Sequence, residues 1–262
     1  MHIQGTAATD LKDKVTGSTT SNMSDAVQKA RRIPSSILQK WVDEADNRDS
    51  SSSRDFEAAV VADGAIPPPR PKLSLQVCRA NELSAPKAMA IFSLFETNMR
   101  DMYRSSAIGY KPNAKRKELF HSDSRFVLLT RGESPSQSDQ TKENASSTRA
   151  SASDLTKPAS NDEMVGFAMF RFDWDYDRLV VYCYEVQILV AEHGQGHGRR
   201  LMSVLELLGR RTGMELVVLT LFKANVAAAA FYRQIGFDLD DTSPDNEEEK
   251  DYVIYSKSLQ AL

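Results

Sequence analysis

The run Tyr182-Cys-Tyr-Glu-Val-Gln-Ile-Leu-Val190, followed two residues later by His193-Gly-Gln-Gly-His-Gly-Arg-Arg-Leu201, constrains this chain more than any other stretch. A strand feeds a glycine-rich turn, and the turn opens a long amphipathic helix. The first backbone N–H groups of a helix have no partner within it and lie at the positive end of its dipole, so such a turn can hold a phosphate. Strand alternation predicts Tyr182, Tyr184 and Val186 on one face, with Cys183, Glu185 and Gln187 on the other. An anion cradle one strand away from an ionisable side chain points to an enzyme that grips a phosphorylated cofactor beside its chemistry.

Composition narrows the class. The chain has 262 residues, a formal net charge of -3 and 26% charged residues, as expected of a soluble protein. It carries no apolar run of about 18 residues, so no membrane span is expected. The stretch from Met1 to Thr20 lacks the apolar core of a secretion signal. Cys78 and Cys183 both sit in strand-like apolar runs and read as buried reduced thiols. With four scattered histidines beside them, no metal site is expected. The overall charge gives no ground for direct nucleic-acid binding, while a basic protein substrate is compatible with it.

Three tracts read as poorly folded: residues 1 to about 22, the Ser-rich and proline-rich linker 46–71, and the polar tract 132–162. The last interrupts two strand-like runs and is therefore an insert within a domain. Between the first two, 33–45 is predicted as a docking helix, capped by Ser35 or Ser36, with Ile37, Leu38, Trp41 and Val42 as its apolar stripe and Trp41 as its anchor. Residues 1–71 are thus expected to be a flexible region around one docking helix, and 72–262 a single α/β domain. Within that domain the periodicity predicts a strand at Leu73, a long helix after Ser84-Ala-Pro and a charged short helix near 113–121. Strands follow at 125–130, 164–173 and 179–190, with a turn at 174–177. A helix at 196–212, a buried strand at 215–221, a helix at 225–234 and two short strands complete it. The order is β-α-α-β-β-β-α-β-α-β-β around a mixed sheet.

This order, the turn at 193–198 and Asn225…Ala-Ala-Phe-Tyr-Arg-Gln-Ile-Gly-Phe237 resemble the GNAT superfamily of N-acetyltransferases. A narrower resemblance covers most of the compact domain. Asn98-Met-Arg-Asp-Met-Tyr103, Phe170-Arg-Phe-Asp173, Tyr182-Cys-Tyr-Glu-Val-Gln187, Leu219-Thr-Leu-Phe-Lys-Ala-Asn225 and Asp240-Asp-Thr-Ser-Pro244 are similar to the NatD branch, the N-terminal acetyltransferases of histones. The resemblance implies the GNAT fold, a central mixed and mostly antiparallel sheet flanked by helices. It implies acetyl-CoA as cosubstrate and no metal. The implied acceptor is the α-amine of histone four and histone two-A, whose tails begin Ser-Gly-Arg-Gly.

Residue by residue, the resemblance implies that Gln195, Gly196, His197, Gly198, Arg199 and Arg200 cradle the CoA pyrophosphate. Gln187, Ile188 and Leu189 would bond the pantetheine arm through main chain, and Asn225 would bond it at the start of its helix. Glu185 is expected to be the general base, with Tyr184 beside it, and Tyr232 is either the acid that protonates the leaving thiolate, as the superfamily resemblance implies, or a packing residue. Tyr103, Tyr182, Tyr184, Thr220, Ser243 and Tyr252 would line the peptide groove, and Asp173, with Trp174 and Asp175 beside it, would read the arginine at the third tail position. His193, Gly194 and Ile108 depart from the branch, which carries basic residues at the first two positions and an aromatic at the third. The acceptor matters to the chemistry. An α-amine of pKa about 7.8 is roughly a quarter neutral at pH 7.4, against about one part in a thousand for lysine, an advantage of roughly 300-fold.

Two other readings stay open at this point: the same donor with a lysine or polyamine acceptor, and a non-catalytic module that holds a tail or CoA. Histone tails are the expected partner of a monomer without nucleic-acid or membrane binding, and the ribosome is a further candidate. Cytoplasm and nucleus are the expected compartments.

Overall fold

The computed structural model describes residues 17–57, 73–132, 163–245 and 250–260, with side chains omitted at 17–23 and 48–57. The insert expected at 132–162 lies almost wholly outside the described residues. Two N-terminal helices, α1 (Gly17–Arg32) and α2 (Ser35–Glu57), precede β1 (Leu73–Arg79), α3 (Ala85–Ser105), α4 (Pro112–Leu119), β2 (Arg125–Arg131), β3 (Glu163–Asp175) and β4 (Arg178–Ile188). After these come α5 (His197–Thr212), β5 (Leu216–Phe222), α6 (Val226–Gln234), β6 (Asp238–Leu239) and β7 (Tyr252–Ser258). From β1 onward this is the order that periodicity predicts.

Local chemistry explains the boundaries. The Ser84 hydroxyl accepts from Lys87 N at the start of α3, where proline takes an early helical position that needs no donor. Gly213, at φ 75°, ends α5 in the left-handed region that glycine adopts without a Cβ penalty. The β3–β4 hairpin turns on Tyr176 (φ 47°) and Asp177 (φ 61°), two left-handed residues whose twist matches that of the flanking strands.

Among the described residues one sheet of seven strands forms, in the order β1-β2-β3-β4-β5-β7-β6. Every pairing is antiparallel except β4 with β5, which pair only from Val180–Leu216 to Cys183–Leu219. One face carries a core that includes Phe170, Phe172, Val181, Leu201, Leu205 and Phe237. The other face packs Phe92, Phe95, Phe126, Phe167 and Met169 beneath α3 and α4. Cys78 and Cys183 are free and buried. Burial pushes the Cys78 thiol up to about 12, so it stays protonated. No helix among the described residues is long and apolar enough to cross a membrane.

The N-terminal region departs from expectation. The helix expected at 33–45 spans Ser35–Glu57, so 46–57, expected as extended linker, has helical backbone. Residues 17–22, expected to be unfolded, open α1. Neither Ser35 nor Ser36 is the cap. The Pro34 carbonyl accepts from Ile37 N and Leu38 N (3.1 and 3.3 Å), which puts Ser35 already inside the helix. Leu38 and Val42 are fully buried, and Trp41 packs partly buried against the same core.

Polar contacts seat the two helices. Gln39 Nε2 donates to Leu75 O (3.0 Å) and Gln39 Oε1 accepts from Val77 N (2.6 Å). A side-chain amide therefore satisfies two main-chain groups on the open side of edge strand β1. Arg79 and Arg125 both donate to the carbonyls of Arg31 and Ile33, neutralising the negative end of α1.

Candidate active site

The site lies where β4 and β5 part. Their parallel pairing ends at Cys183–Leu219, and beyond it a cleft opens, lined by Tyr184, Glu185, Gln187, Thr220, Asn225 and Tyr232 among others. A β-bulge sets the directions of the β4 side chains. Met169 pairs with Glu185 but Phe170 pairs with Cys183, so Tyr184 is the extra residue. This corrects the expected alternation. Val186 and Ile188 join Cys183 on the α5 face, while Glu185 and Gln187 turn to the face of Tyr182 and Tyr184. One inserted residue thus brings both tyrosines and the candidate base to the same side.

Glu185 sits in a buried charged cluster. Lys115 Nζ, from α4, lies 2.5 Å from Glu185 Oε1 and also pairs with Glu118. It donates to Tyr103 Oη (3.2 Å) and stands 5.0 Å from the Phe95 ring centroid. Gln187 Nε2 donates to Glu185 Oε2 (2.6 Å), and Asn98 Nδ2 donates to Gln187 Oε1 (3.0 Å). Burial alone would push Lys115 down, but Glu185, Tyr103 and Glu118 hold its ammonium well above the usual range. Burial would raise Glu118, and Lys115 reverses this, leaving its carboxyl lowered. Sequence reasoning passed over Lys115 and Glu118. Their signal was the spacing of Lys115, Glu118 and Leu119, which puts both charges beside the buried apolar side of a short helix.

The tyrosines stand around this cluster. Tyr182 and Tyr184 have ring centroids 4.8 Å apart, and Tyr182 Oη shares a 2.6 Å hydrogen bond with Thr220 Oγ1. The Arg171 guanidinium lies 4.4 Å from the Tyr184 centroid. Burial raises the phenols of Tyr103, Tyr182, Tyr184 and Tyr232, so all four remain hydrogen-bond donors. Tyr252, at the start of β7, pairs with Phe222, whose ring meets Tyr103 edge-on at 5.0 Å. Asp251 ties this edge together: its carboxylate accepts from Ala107 N (2.7 Å) and its carbonyl from Lys223 N (2.8 Å). Ser243 Oγ accepts from Ile254 N (3.0 Å), which makes it a brace of that edge.

Asp173 is already engaged. Its Oδ1 accepts from Arg31 Nη2 (3.2 Å) and from Trp174 N (2.8 Å). The Arg31 Nε donates to Phe172 O (2.9 Å) and its Nη1 pairs with Asp123 (3.2 Å). A guanidinium of the chain itself thus stands where a substrate arginine is expected. Asp175, at the end of β3, is buried.

The cofactor residues divide. Gly194 (φ 77°) and Gly196 (φ 83°) hold the turn in the left-handed region, and α5 begins at His197. A Cβ on Gly198 would stand 3.0 Å from Phe231 Cζ, so helix and turn approach as closely as glycine allows. Gln195 and Arg199 are exposed at this mouth. His197 Nε2 lies 3.2 Å from Glu192 Oε2. Arg200 points away: its guanidinium bonds Asp46 Oδ1 (2.8 Å) and Leu73 O (3.3 Å), joining α5 to α2 and β1. Along β4, Leu189 N donates to Val165 O (2.9 Å). Antiparallel alternation therefore turns the main-chain groups of Gln187 toward β3 and those of Val186 and Ile188 to the open edge. Ile188 O on that edge accepts from Asn98 Nδ2 (3.0 Å). Asn225 Oδ1 caps α6 by accepting from Ala228 N (3.2 Å) at the cleft. Tyr232 is buried on the cleft's inner wall, within electrostatic reach of Cys183 and Glu185.

The model of the acetyltransferase (GNAT) family matches residues 120–237. Among solved structures the chain is similar to an acetyltransferase of the GNAT family from Staphylococcus aureus Mu50 (10% identity, 71% of this chain and 100% of that one, TM-score 0.47). It is also similar to the ribosomal-protein-S18-alanine N-acetyltransferase of Escherichia coli (14%, 72% and 96%, 0.43). Arabidopsis thaliana Naa50, solved with the bisubstrate analogue CoA-Ac-MVNAL, is a third (17%, 71% and 99%, 0.42). The matched span runs from β2 through the bulged strand, the glycine turn and α6, the elements that build the cleft, so this part of the chain matches the acetyltransferase (GNAT) family.

Proposed function

We propose that this acetyltransferase moves an acetyl group from acetyl-CoA to the N-terminal α-amine of a protein whose tail begins Ser-Gly-Arg-Gly, as in histones four and two-A. The observation that carries the reading is the bulge at Tyr184, which sets Glu185 among tyrosines at the point where the β4–β5 cleft opens. The glycine turn suits a pyrophosphate, because its left-handed residues and the first turn of α5 leave main-chain N–H groups facing outward. The open edge of β4 suits an extended pantetheine arm.

In this reading Glu185 takes a proton from the incoming ammonium, directly or through water. The neutral nitrogen attacks the thioester carbonyl, the carbon–sulfur bond breaks, and the departing thiolate takes a proton from Tyr232 in the cleft lining, which regains one from the acylated nitrogen. The Tyr-Cys-Tyr-Glu run favours a peptide terminus, and an arginine at its third position would take the Asp173 carboxylate by displacing Arg31. A histone acceptor fits action in cytoplasm and nucleus.

The test is mass spectrometry of Ser-Gly-Arg-Gly-Lys peptides with free and blocked N-termini. Acetylation of the free form alone is expected. Modification of lysine in the blocked peptide would move the assignment to a lysine acetyltransferase, and no modification of either would end it.

A further inference from the structure

We infer that Asn98 is a further cofactor-binding residue of the cleft: its side-chain oxygen accepts an amide N–H of the pantetheine arm. The inference deepens the proposed function and rests on its acetyl-CoA donor. It begins with the place of Asn98 in α3. That helix turns Ile91, Phe92, Leu94 and Phe95 into the core, and Asn98, three residues after Phe95, falls on the same side. The next residue, Met99, and the Gln187 to which Asn98 is bonded both line the cleft.

The orientation of the carboxamide is fixed. A main-chain carbonyl only accepts, so Asn98 Nδ2 is the atom that faces Ile188 O (3.0 Å), and the same nitrogen donates to Gln187 Oε1 (3.0 Å). Both N–H groups of Asn98 are thereby used. Its Oδ1 is left buried, without a hydrogen-bond partner among the described residues. Tying α3 to β4 requires the nitrogen alone. The oxygen carries a cost, because a buried acceptor gives up water and gains nothing in its place.

The strand beside it supplies the reason. Ile188 O lies on the open edge of β4, the edge on which an extended arm docks as an added strand. That carbonyl already meets Asn98 Nδ2 and, at 3.2 Å, His193 Nε2. A carbonyl oxygen has two lone pairs, so both are taken. An incoming amide N–H therefore finds Asn98 Oδ1, which one carboxamide holds next to the nitrogen bonded to the strand. Asn98 thus replaces the main-chain acceptor that it occupies with an acceptor of its own. The pantetheine arm carries two amide N–H groups, and an arm lying along this edge brings them past Ile188.

The test is calorimetric titration of the full chain, wild type and Asn98→Leu, with acetyl-CoA and with two analogues, each replacing one amide N–H of the arm by an ester oxygen. Leucine keeps the shape of the side chain and removes both polar groups. Asn98→Leu should raise the Kd of acetyl-CoA by about three- to tenfold, the range of one hydrogen bond. In the wild type one of the two analogues should be weakened by a similar factor. That analogue should bind Asn98→Leu within about twofold of acetyl-CoA, because the partner of its missing N–H is already gone. Ester penalties of the same size in wild type and Asn98→Leu, for both analogues, overturn the inference. So does a raised peptide KM with acetyl-CoA affinity unchanged, which would assign the oxygen to the acceptor peptide. Should Asn98→Leu not fold, a crystal structure of the wild type with acetyl-CoA decides: a hydrogen bond of about 2.7–3.2 Å from an arm nitrogen to Asn98 Oδ1 supports the inference, and its absence overturns it. Calorimetry reads binding alone, so a wild type that binds acetyl-CoA yet modifies neither peptide refutes the proposed acceptor and not the role of Asn98.

Discussion

Replacing Gln39 by Met isolates the contribution of one amide to the seating of α2. The side chain keeps its length and apolar stem but loses the 3.0 Å bond to Leu75 O and the 2.6 Å bond from Val77 N. Each such bond contributes about 0.5–1.5 kcal/mol net, so losing two costs about 1–3 kcal/mol. Water can reach a half-buried strand edge, which favours the lower half of that range. For a chain of this size each kcal/mol lowers Tm by about 2–4 °C, and a calorimetric scan resolves that shift. Gln39→Glu separates the two bonds. It retains the acceptor for Val77 N, removes the donor to Leu75 O and places a carboxylate four residues from Asp43, to which Gln39 now donates (2.8 Å). At pH 7 it should be at least as destabilising as Met, through i,i+4 repulsion. As pH falls below about 4 its protonated form donates again, and the deficit should shrink. A Tm for Gln39→Met within about 1 °C of wild type would show that solvent satisfies the edge equally well and refute the reasoning.

Two further outcomes are expected elsewhere. Asp173→Ala should raise KM for peptides with Arg at the third position more than for those with Ala there, and Arg31→Ala should lower KM for the Arg peptide by vacating the carboxylate; equal changes for both peptides would remove Asp173 from recognition. Asp240 is bonded bidentately by Arg178 (2.9 and 3.0 Å); burial alone would raise its carboxyl, but Arg178, Ser256 and Thr242 hold it well below the usual carboxylate range. A lowered folded-state pKa adds stability that is present above the unfolded value of about 3.9 and lost as pH falls through the folded one. The gap in urea stability between wild type and Asp240→Asn should therefore be full at pH 7 and close below about pH 4, and a gap constant with pH would contradict the assignment.

Residue pattern disclosed the order of elements from β1 onward because each has its period and its punctuation. Ser84-Ala-Pro opens α3, Gly213 closes α5 and Asn225 caps α6. The facing of Glu185 was not legible, because alternation counts residues evenly and nothing in Tyr-Cys-Tyr-Glu marks the extra one. Lys115 hid in Asn-Ala-Lys-Arg-Lys-Glu, where three basic residues in six look like a solvated helix. The Ser-rich run 50–53 has low intrinsic helix preference, yet it lies within α2. Val27 and Ala30, both buried and three apart, were the available sign of α1. Asp173 was picked out for its chemistry, but its Arg31 partner lies 142 residues away and is visible only once folded.

The inserted residue at Tyr184 couples two properties that could otherwise be tuned separately. The same backbone kink that swings the carboxylate around also interrupts β4 beside the gap where a ligand's own amides can dock in place of a strand. Deleting one residue there would rotate Glu185 into the oily interior and close the docking edge together. Drift in this segment is therefore confined to swaps that conserve its length, and variation in acceptor preference has to come from the walls contributed by α3, α4 and the β6–β7 connection.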